Sequence, residues 1–252
     1  MTRSRRDSGR KALILRILAA SMVLLILGAC ATQPTTMTDP EGDPWESYNR
    51  KIHAFNMGLD KAIVRPIAKG YDAIMPEAPK RGVRNFFRNL AYPVTFINLI
   101  LQGKFEDSLT ATGRFIINTT AGLLGFFDVA SKAGVPQFNE DFGQTLAVWG
   151  WRDSRYLVMP LFGPYTARDF LGRGFYGYLH PIAWYAREHN NYWPVVADII
   201  TLRASLLPLQ EDLDNANDPY VMIRDAWLQR REFLIYDGDP PAPDYESMLE
   251  EY

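Results

Sequence analysis

The sequence predicts a mainly α-helical protein whose amphipathic and half-apolar elements suit one leaflet of a membrane without crossing it. Three observations lead there. Tyr48, Ile52, Phe55, Leu59 and Ile63 recur at steps of three and four, an apolar stripe at helical period. In KRGVRNFFRNLAYP (80–93), Arg81, Arg84 and Arg88 lie opposite Val83, Phe86, Phe87 and Leu90. A helix lying in a lipid interface has that pattern, and so does a soluble helix with a solvated basic face. Finally, no apolar run beyond residue 29 reaches the roughly 20 residues of a spanning helix, yet several are more apolar than a surface helix needs to be.

Taken in order, the chain opens with Arg3, Arg5, Arg6, Arg10 and Lys11, followed by an apolar run from Ile17 to Ala29. A basic start and a short apolar stretch ending in small residues describe a secretory signal over residues 1–29. Cys30 follows, the only cysteine in the chain. It has no disulfide partner within the chain, and His53, His180 and His189 show no metal-ligand spacing. It also precedes anything that reads as folded, so a catalytic nucleophile is disfavoured and a point of attachment is the better reading. Leu27-Gly28-Ala29-Cys30 resembles the bacterial lipobox, in which cleavage precedes a cysteine that carries a diacylglyceryl group. Ala31 stands where an inner-membrane retention signal would place Asp. That resemblance implies lipidation of Cys30 and residence in the inner leaflet of the outer membrane, facing the periplasm. An ordinary secreted protein is the competing reading.

Residues 30–44 read as a flexible tether, 45–236 as a helical domain, and 237–252, acidic and proline-rich, as a disordered tail. Within the domain, Pro66 is expected to end the helix that carries the stripe, because the residue before a proline avoids the helical region. VTFINLILQG (94–103) is nearly all apolar and bounded by Pro93 and Gly103. Residues 105–127 pass from a polar opening through Arg114 into FIINTTAGLLGFF, which Gly122 and Gly125 break or bend. A short helix ends at Gly134, FGQTLAVW is helical, and Pro160, Gly163 and Pro164 make RYLVMPLFGP an extended or looping stretch. Residues 194–207 and 219–236 read as helices, the first with proline in its opening turn.

Composition removes some functions. The basic charge is concentrated in the signal, so the mature chain is net acidic, which argues against nucleic acid as a partner. Gly172, Gly174 and Gly177 spell GxGxxG, but no strand precedes them and Pro181 follows too soon; tight turns or close packing explain them better. There is no GxSxG, and the histidines stand apart. His53 lies one residue off the apolar stripe and reads as structural. Asn118-Thr119-Thr120 matches a glycosylation acceptor that a bacterial envelope protein need not use. Neither a cofactor nor a metal is called for.

The whole domain resembles the MlaA (VacJ) lipoproteins. The resemblance is carried in order by DPWESYNRKIHAFNMGLDKAIVRPIAKGY (43–71), GRFIINTTAGLLGFFDVASKAG (113–134), FGQTLAVWG (142–150), LVMPLFGPYTARD (157–169) and DPYVMIRDAWLQRREFL (218–234). Trp151 to Arg155 depart from the small residues usual there. The resemblance implies a ring-like array of amphipathic helices in one leaflet around a central amphipathic channel. It implies a non-enzymatic, cofactor-free role: phospholipids mislaid in the outer leaflet of the outer membrane pass to a soluble periplasmic carrier, in association with a trimeric porin. By position in the matched motifs, Asn49, Phe55, Asn56 and Asp60 are candidates for the channel or its gating segment. Arg114, Asn118, Phe126, Phe127 and Asp128 are candidates for wall and rim. Pro160, Gly163, Pro164, Arg168 and Asp169 are expected to structure a loop and its ion pair. A lipoprotein that braces a porin without moving lipid, and a periplasmic lipid hydrolase, are the alternatives.

Overall fold

The computed structural model describes residues 43–241. The signal, Cys30, most of the tether and the last residues of the tail lie outside this range. Asp43 already belongs to the fold: it is buried and receives hydrogen bonds from the Asn49 amide (2.7 Å) and the Tyr220 hydroxyl.

The first helix, α1 (Glu46–Leu59), carries the predicted stripe, but its polarity is inverted relative to a soluble helix. Asn49 is fully buried, while Tyr48, Phe55 and, just beyond the helix, Ile63 are exposed, Phe55 to 54%. The chain does not stop at Pro66. A π-helical segment (Asp60–Val64) leads directly into α2 (Arg65–Ile74), and Arg65 N–H reaches back to the Asp60 carbonyl. The widened turn makes room for the proline ring in the first turn of the next helix, where its missing N–H costs little. The expected stop is therefore corrected to a bulge.

Helices α3 (Glu77–Leu90) and α4 (Tyr92–Leu101) follow, then α5 (Phe105–Thr120). The last is also inverted: Ser108, Ala111, Arg114 and Asn118 are buried, whereas Phe105, Leu109 (73% exposed) and Ile116 point outward. A non-helical stretch containing Gly122 and Gly125 leads to the one-turn α6 (Val129–Lys132), capped by the Asp128 carboxylate accepting from Ser131 N–H. Asp141 caps α7 (Phe142–Val148) in the same way through Gln144 N–H.

Strands β1 (Tyr156–Met159) and β2 (Gly163–Thr166) pair antiparallel, with Tyr156 opposite Thr166 and Met159 opposite Gly163. The predicted extended stretch is thus a hairpin whose tip, Leu161 and Phe162, is exposed; Leu161 and Gly163 both take positive φ. Thr166 then caps α8 (Ala167–Leu179), and His180 caps α9 (Pro181–His189). The chain continues through α10 (Trp193–Ser205) and the short α11 (Gln210–Asp214). It closes with α12 (Pro219–Ile235), capped by Asp218.

The GxGxxG glycines all lie inside α8 and make no turn. Gly172 serves packing: a Cβ there would sit 2.8 Å from Gly143 N, where α8 meets α7. Gly174 and Gly177 face open space. Gly172→Ala is expected to destabilise the fold by about 1–3 kcal/mol through overpacking. Gly174→Ala should instead stabilise it by up to about 1 kcal/mol through helix propensity. Denaturation of the two variants in mild detergent checks the contrast.

Contacts among the helices close on themselves: α3 packs on α4, α4 on α8, α8 on α9, α9 on α10, and α10 back on α3. The helices are mostly thin-cored, and the one buried cluster of large apolar side chains, among the described residues, is Tyr156, Val158 and Tyr220 beneath α1 and the hairpin. Among the described residues no helix is long and apolar enough to cross a membrane.

Candidate functional site

Helices α4, α8, α10 and α12, with the hairpin and residues 139–141, wall a cavity of about 630 Å³. Its apolar lining includes Val94, Phe162, Tyr176, Leu202, Leu206 and Trp227, and its charged lining is Glu140, Asp141, Asp169, Arg173, Arg230 and Arg231. Leu202 and Leu206 continue a row along α10 with Val196 and Ile199, all four exposed at helical spacing. An amphipathic hollow of this kind is shaped to hold a molecule with one polar and one apolar part.

The polar end is organised by Arg231. Its guanidinium spans the Asp141 carboxylate (2.6 Å to each oxygen) and reaches Asp169 Oδ1 at 2.7 Å and Gln144 Oε1 at 3.3 Å. Gly143 opens this space, since a Cβ there would overlap Asp169 and Arg231. Burial pushes the Asp141 carboxyl up, but hydrogen bonding and charge from Arg231 outweigh it and hold it below the usual carboxylate range. Glu140 shifts the other way. Burial raises its carboxyl above the usual range, against hydrogen bonding from Gln102 and the charge of Lys104.

The residues singled out in the sequence fall into separate places. Asn49 and Asn56, seven apart on one face of α1, fasten the hairpin. Asn49 donates to the Tyr156 carbonyl (3.3 Å) and accepts from Val158 N–H (2.8 Å); Asn56 donates to the Met159 carbonyl (3.0 Å) and accepts from Leu161 N–H (2.8 Å). Asp60, in the π segment, pairs with Arg203 of α10 at 2.7 Å and with Arg65 at 3.1 Å. Phe55 and Phe127 point outward, and Phe126 covers Gly82 of α3. Arg114, Asn118 and Asp128 are brought together in one buried network beside a second, smaller hollow of about 50 Å³.

Pro160 lies at the hairpin turn and Gly163 and Pro164 begin its second strand. Arg168 and Asp169 form the expected ion pair at 3.2 Å, and the Arg168 guanidinium also ties down the carbonyls of Trp151 (2.9 Å) and Arg152 (3.0 Å). Of all these residues, Pro164 and Asp169 line the larger cavity. The sequence reading missed Arg173, Arg230 and Arg231. An arginine in a helix that looks amphipathic reads as solvated, and nothing local tells that α8 and α12 bring these three to one cavity wall.

His180 adds a pH-sensitive element where α8 meets α9. Its Nδ1 accepts from Ile182 N–H (3.3 Å), its ring stacks on Tyr176 at 4.6 Å, and burial pushes its pKa down to about 4. Unfolding exposes a histidine of ordinary pKa, about 6.5, which takes up a proton first. Stability is therefore full above about pH 6.5 and falls as the pH drops toward 4, by about 3 kcal/mol. His180→Asn keeps a capping acceptor and is expected to remove that part of the slope in a denaturation series across this range.

Comparison with known proteins fits this frame. The family model described as MlaA lipoprotein matches residues 41–234. The Escherichia coli (strain K12) protein named Intermembrane phospholipid transport system lipoprotein MlaA is 33% identical over 237 residues, covering 89% of this chain and 90% of its own. The Haemophilus influenzae protein of the same name is 30% identical over 230 residues, 88% of this chain and 91% of its own. An uncharacterized protein of Rickettsia prowazekii, RP093, is 39% identical over 195 residues, 77% of this chain and 78% of its own. A solved structure described as "Structural basis for maintenance of bacterial outer membrane lipid asymmetry" superposes with a TM-score of 0.67 at 33% identity, covering 77% of this chain and 99% of that one.

Proposed function

The chain belongs to the MlaA lipoprotein family, and on that premise we propose that it removes mislocalised phospholipids from the outer leaflet of the outer membrane and passes them inward through a channel to a soluble periplasmic carrier. The inverted helices carry this reading. Polar side chains such as Asn49, Arg114 and Asn118 face the interior, while Phe55, Ile74 (83% exposed), Leu109, Ile116 and Trp193 (77% exposed) face out. An exterior this apolar is costly in water and favourable in one leaflet, and no helix among the described residues is long and apolar enough to cross both. Lipidation at Cys30 would supply delivery and a second anchor, and a trimeric porin would be the companion in the plane of the membrane.

In this mechanism the head group moves along the polar side of the cavity while the acyl chains lie against Leu202, Leu206, Trp227 and the surrounding lipid. No covalent bond changes, so no catalytic group is needed, and direction comes from the carrier downstream. Deletion in the source bacterium is expected to raise phospholipid in the outer leaflet. Complementation with the full chain should reverse this, and purified protein should release neither fatty acid nor head group from phospholipid vesicles. Normal surface lipid in the deletion strain would sink the reading. Cys30→Ala is expected to impair delivery to the outer membrane more than it loosens protein already inserted.

A further inference from the structure

Three carboxylates line the cavity, and each is engaged by a cation. Asp141 is spanned by Arg231, Asp169 lies between Arg231 and Arg168, and Glu140 accepts from Gln102 (2.8 Å) and Gln144 (2.6 Å) with Lys104 at 3.6 Å. Lys104 also reaches Asp237 at 2.5 Å, so no positive charge is left over there. Two further cations on the same wall differ. Arg173 donates once, to the Tyr165 hydroxyl (2.7 Å), and its guanidinium lies 4.6 Å over the Phe162 ring. Arg230 lies 5.8 Å from the Phe233 ring centroid. Both side chains are exposed, and neither has a carboxylate partner among the described residues. A guanidinium held on an aromatic ring keeps most of its five donors free for an incoming anion, in the planar fork that suits phosphate oxygens.

We propose that Arg173 and Arg230 act as an anion-selecting pair in this cavity, favouring phospholipids of net negative charge over zwitterionic ones. This rests on the reading of the chain as a phospholipid conduit and names which lipids it prefers. The phosphate of either class would be drawn to the two guanidinium groups. A zwitterionic head group also brings an ammonium, which needs a free carboxylate in the cavity, and each of the three there is already engaged: Asp141 and Asp169 by arginines, and Glu140, 6% exposed, by two amides and the Lys104 it shares with Asp237. The ammonium would then stand beside uncompensated positive charge. A glycerol head group brings no such charge.

The full-length lipidated protein is reconstituted in bilayers of equal phosphatidylglycerol and phosphatidylethanolamine, extracted in mild detergent, and its bound lipid measured by mass spectrometry. Bound phosphatidylglycerol is expected to exceed phosphatidylethanolamine about tenfold, the scale of one charge-assisted hydrogen bond. Arg173→Gln with Arg230→Gln should return the ratio to that of the bilayer while total bound lipid stays within about twofold. Neither side chain holds an ion pair, so the fold should persist, and an unchanged circular dichroism spectrum and melting profile check this. Arg173→Lys with Arg230→Lys should retain at least half of the enrichment. A bilayer-like ratio in the unaltered protein, enrichment that survives in the Gln variant, or its complete loss in the Lys variant would each overturn the selection while leaving the conduit reading intact. Absence of any bound phospholipid would overturn both.

Discussion

Arg231→Ala is expected to lower the unfolding free energy by about 3–5 kcal/mol, because it breaks a buried ion network from one side only. Arg231 is 8% exposed and is shared between Asp141 and Asp169, which arrive from the starts of α7 and α8. Without it, Asp169 (7% exposed) keeps Arg168 and the Thr166 hydroxyl but loses its bond across to α12. Asp141 keeps the backbone N–H bonds of Gln144 and Gly143 but no cation. Chemical denaturation in mild detergent gives the magnitude, and a loss below about 1 kcal/mol would show that the network is solvated in solution. Arg231→Met with Asp141→Asn should recover part of the loss, since the uncompensated carboxylate is then gone while a capping acceptor for Gln144 N–H remains.

The same network sets an acid limb. Asp141 has its carboxyl held below the ordinary range, so the unfolded chain binds the proton first as the pH falls. Its contribution is present above the ordinary carboxylate pKa of about 3.9 and is lost as the pH drops below that toward the lowered folded value. In Arg231→Ala this part of the acid transition should flatten. The limb is distinct from that of His180, which acts between about pH 6.5 and 4.

How much of this was legible in the sequence depended on whether the signal was local. The stripe Tyr48–Ile63 announced a helix by its period, and α1 is there. The period could not say which face is buried, and that face proved to be the polar one, fastened by Asn49 and Asn56. Pro66 was misleading because a proline is a local veto, whereas the π segment before it relieves the clash over a longer stretch. Pro160, Gly163 and Pro164 excluded a helix, but strand pairing between residues 156–159 and 163–166 is a tertiary fact with little side-chain alternation to announce it. Arg114, Asn118 and Asp128 were named through their motif and prove to share one hydrogen-bonded network, and Arg168 with Asp169 likewise form an ion pair. The cavity arginines carried no motif. Arg230 and Arg231 are adjacent in sequence yet one is neutralised and the other is not, a difference set by helix rotation alone.

Arg114→Ala is expected to cost about 3–5 kcal/mol as well, but through a loop rather than through helix packing. Arg114 Nη2 donates to both oxygens of Asp128 at 2.7 Å and lies 2.8 Å from the Ser131 hydroxyl, while Nη1 donates to the Val135 carbonyl at 2.8 Å. Asn118 adds a bond to Asp128 (3.1 Å) and accepts from Ala130 N–H (2.9 Å). Between these anchors Leu123 and Leu124 both sit at positive φ, 51° and 58°, with their side chains outward. Two consecutive left-handed leucines cost about 1–3 kcal/mol each, a strain the surroundings must hold. Removing Arg114 leaves Asp128 without its cation and releases that hold. Hydrogen exchange should therefore accelerate over residues 121–135 in Arg114→Ala more than in the other helices, and protease cleavage should appear in the same segment. Arg114→Lys is not expected to rescue it, because a single ammonium cannot grip both carboxylate oxygens and the Val135 carbonyl together. Uniform acceleration across the fold would instead show that Arg114 supports the whole unit, and the loop would have no independent strain to release.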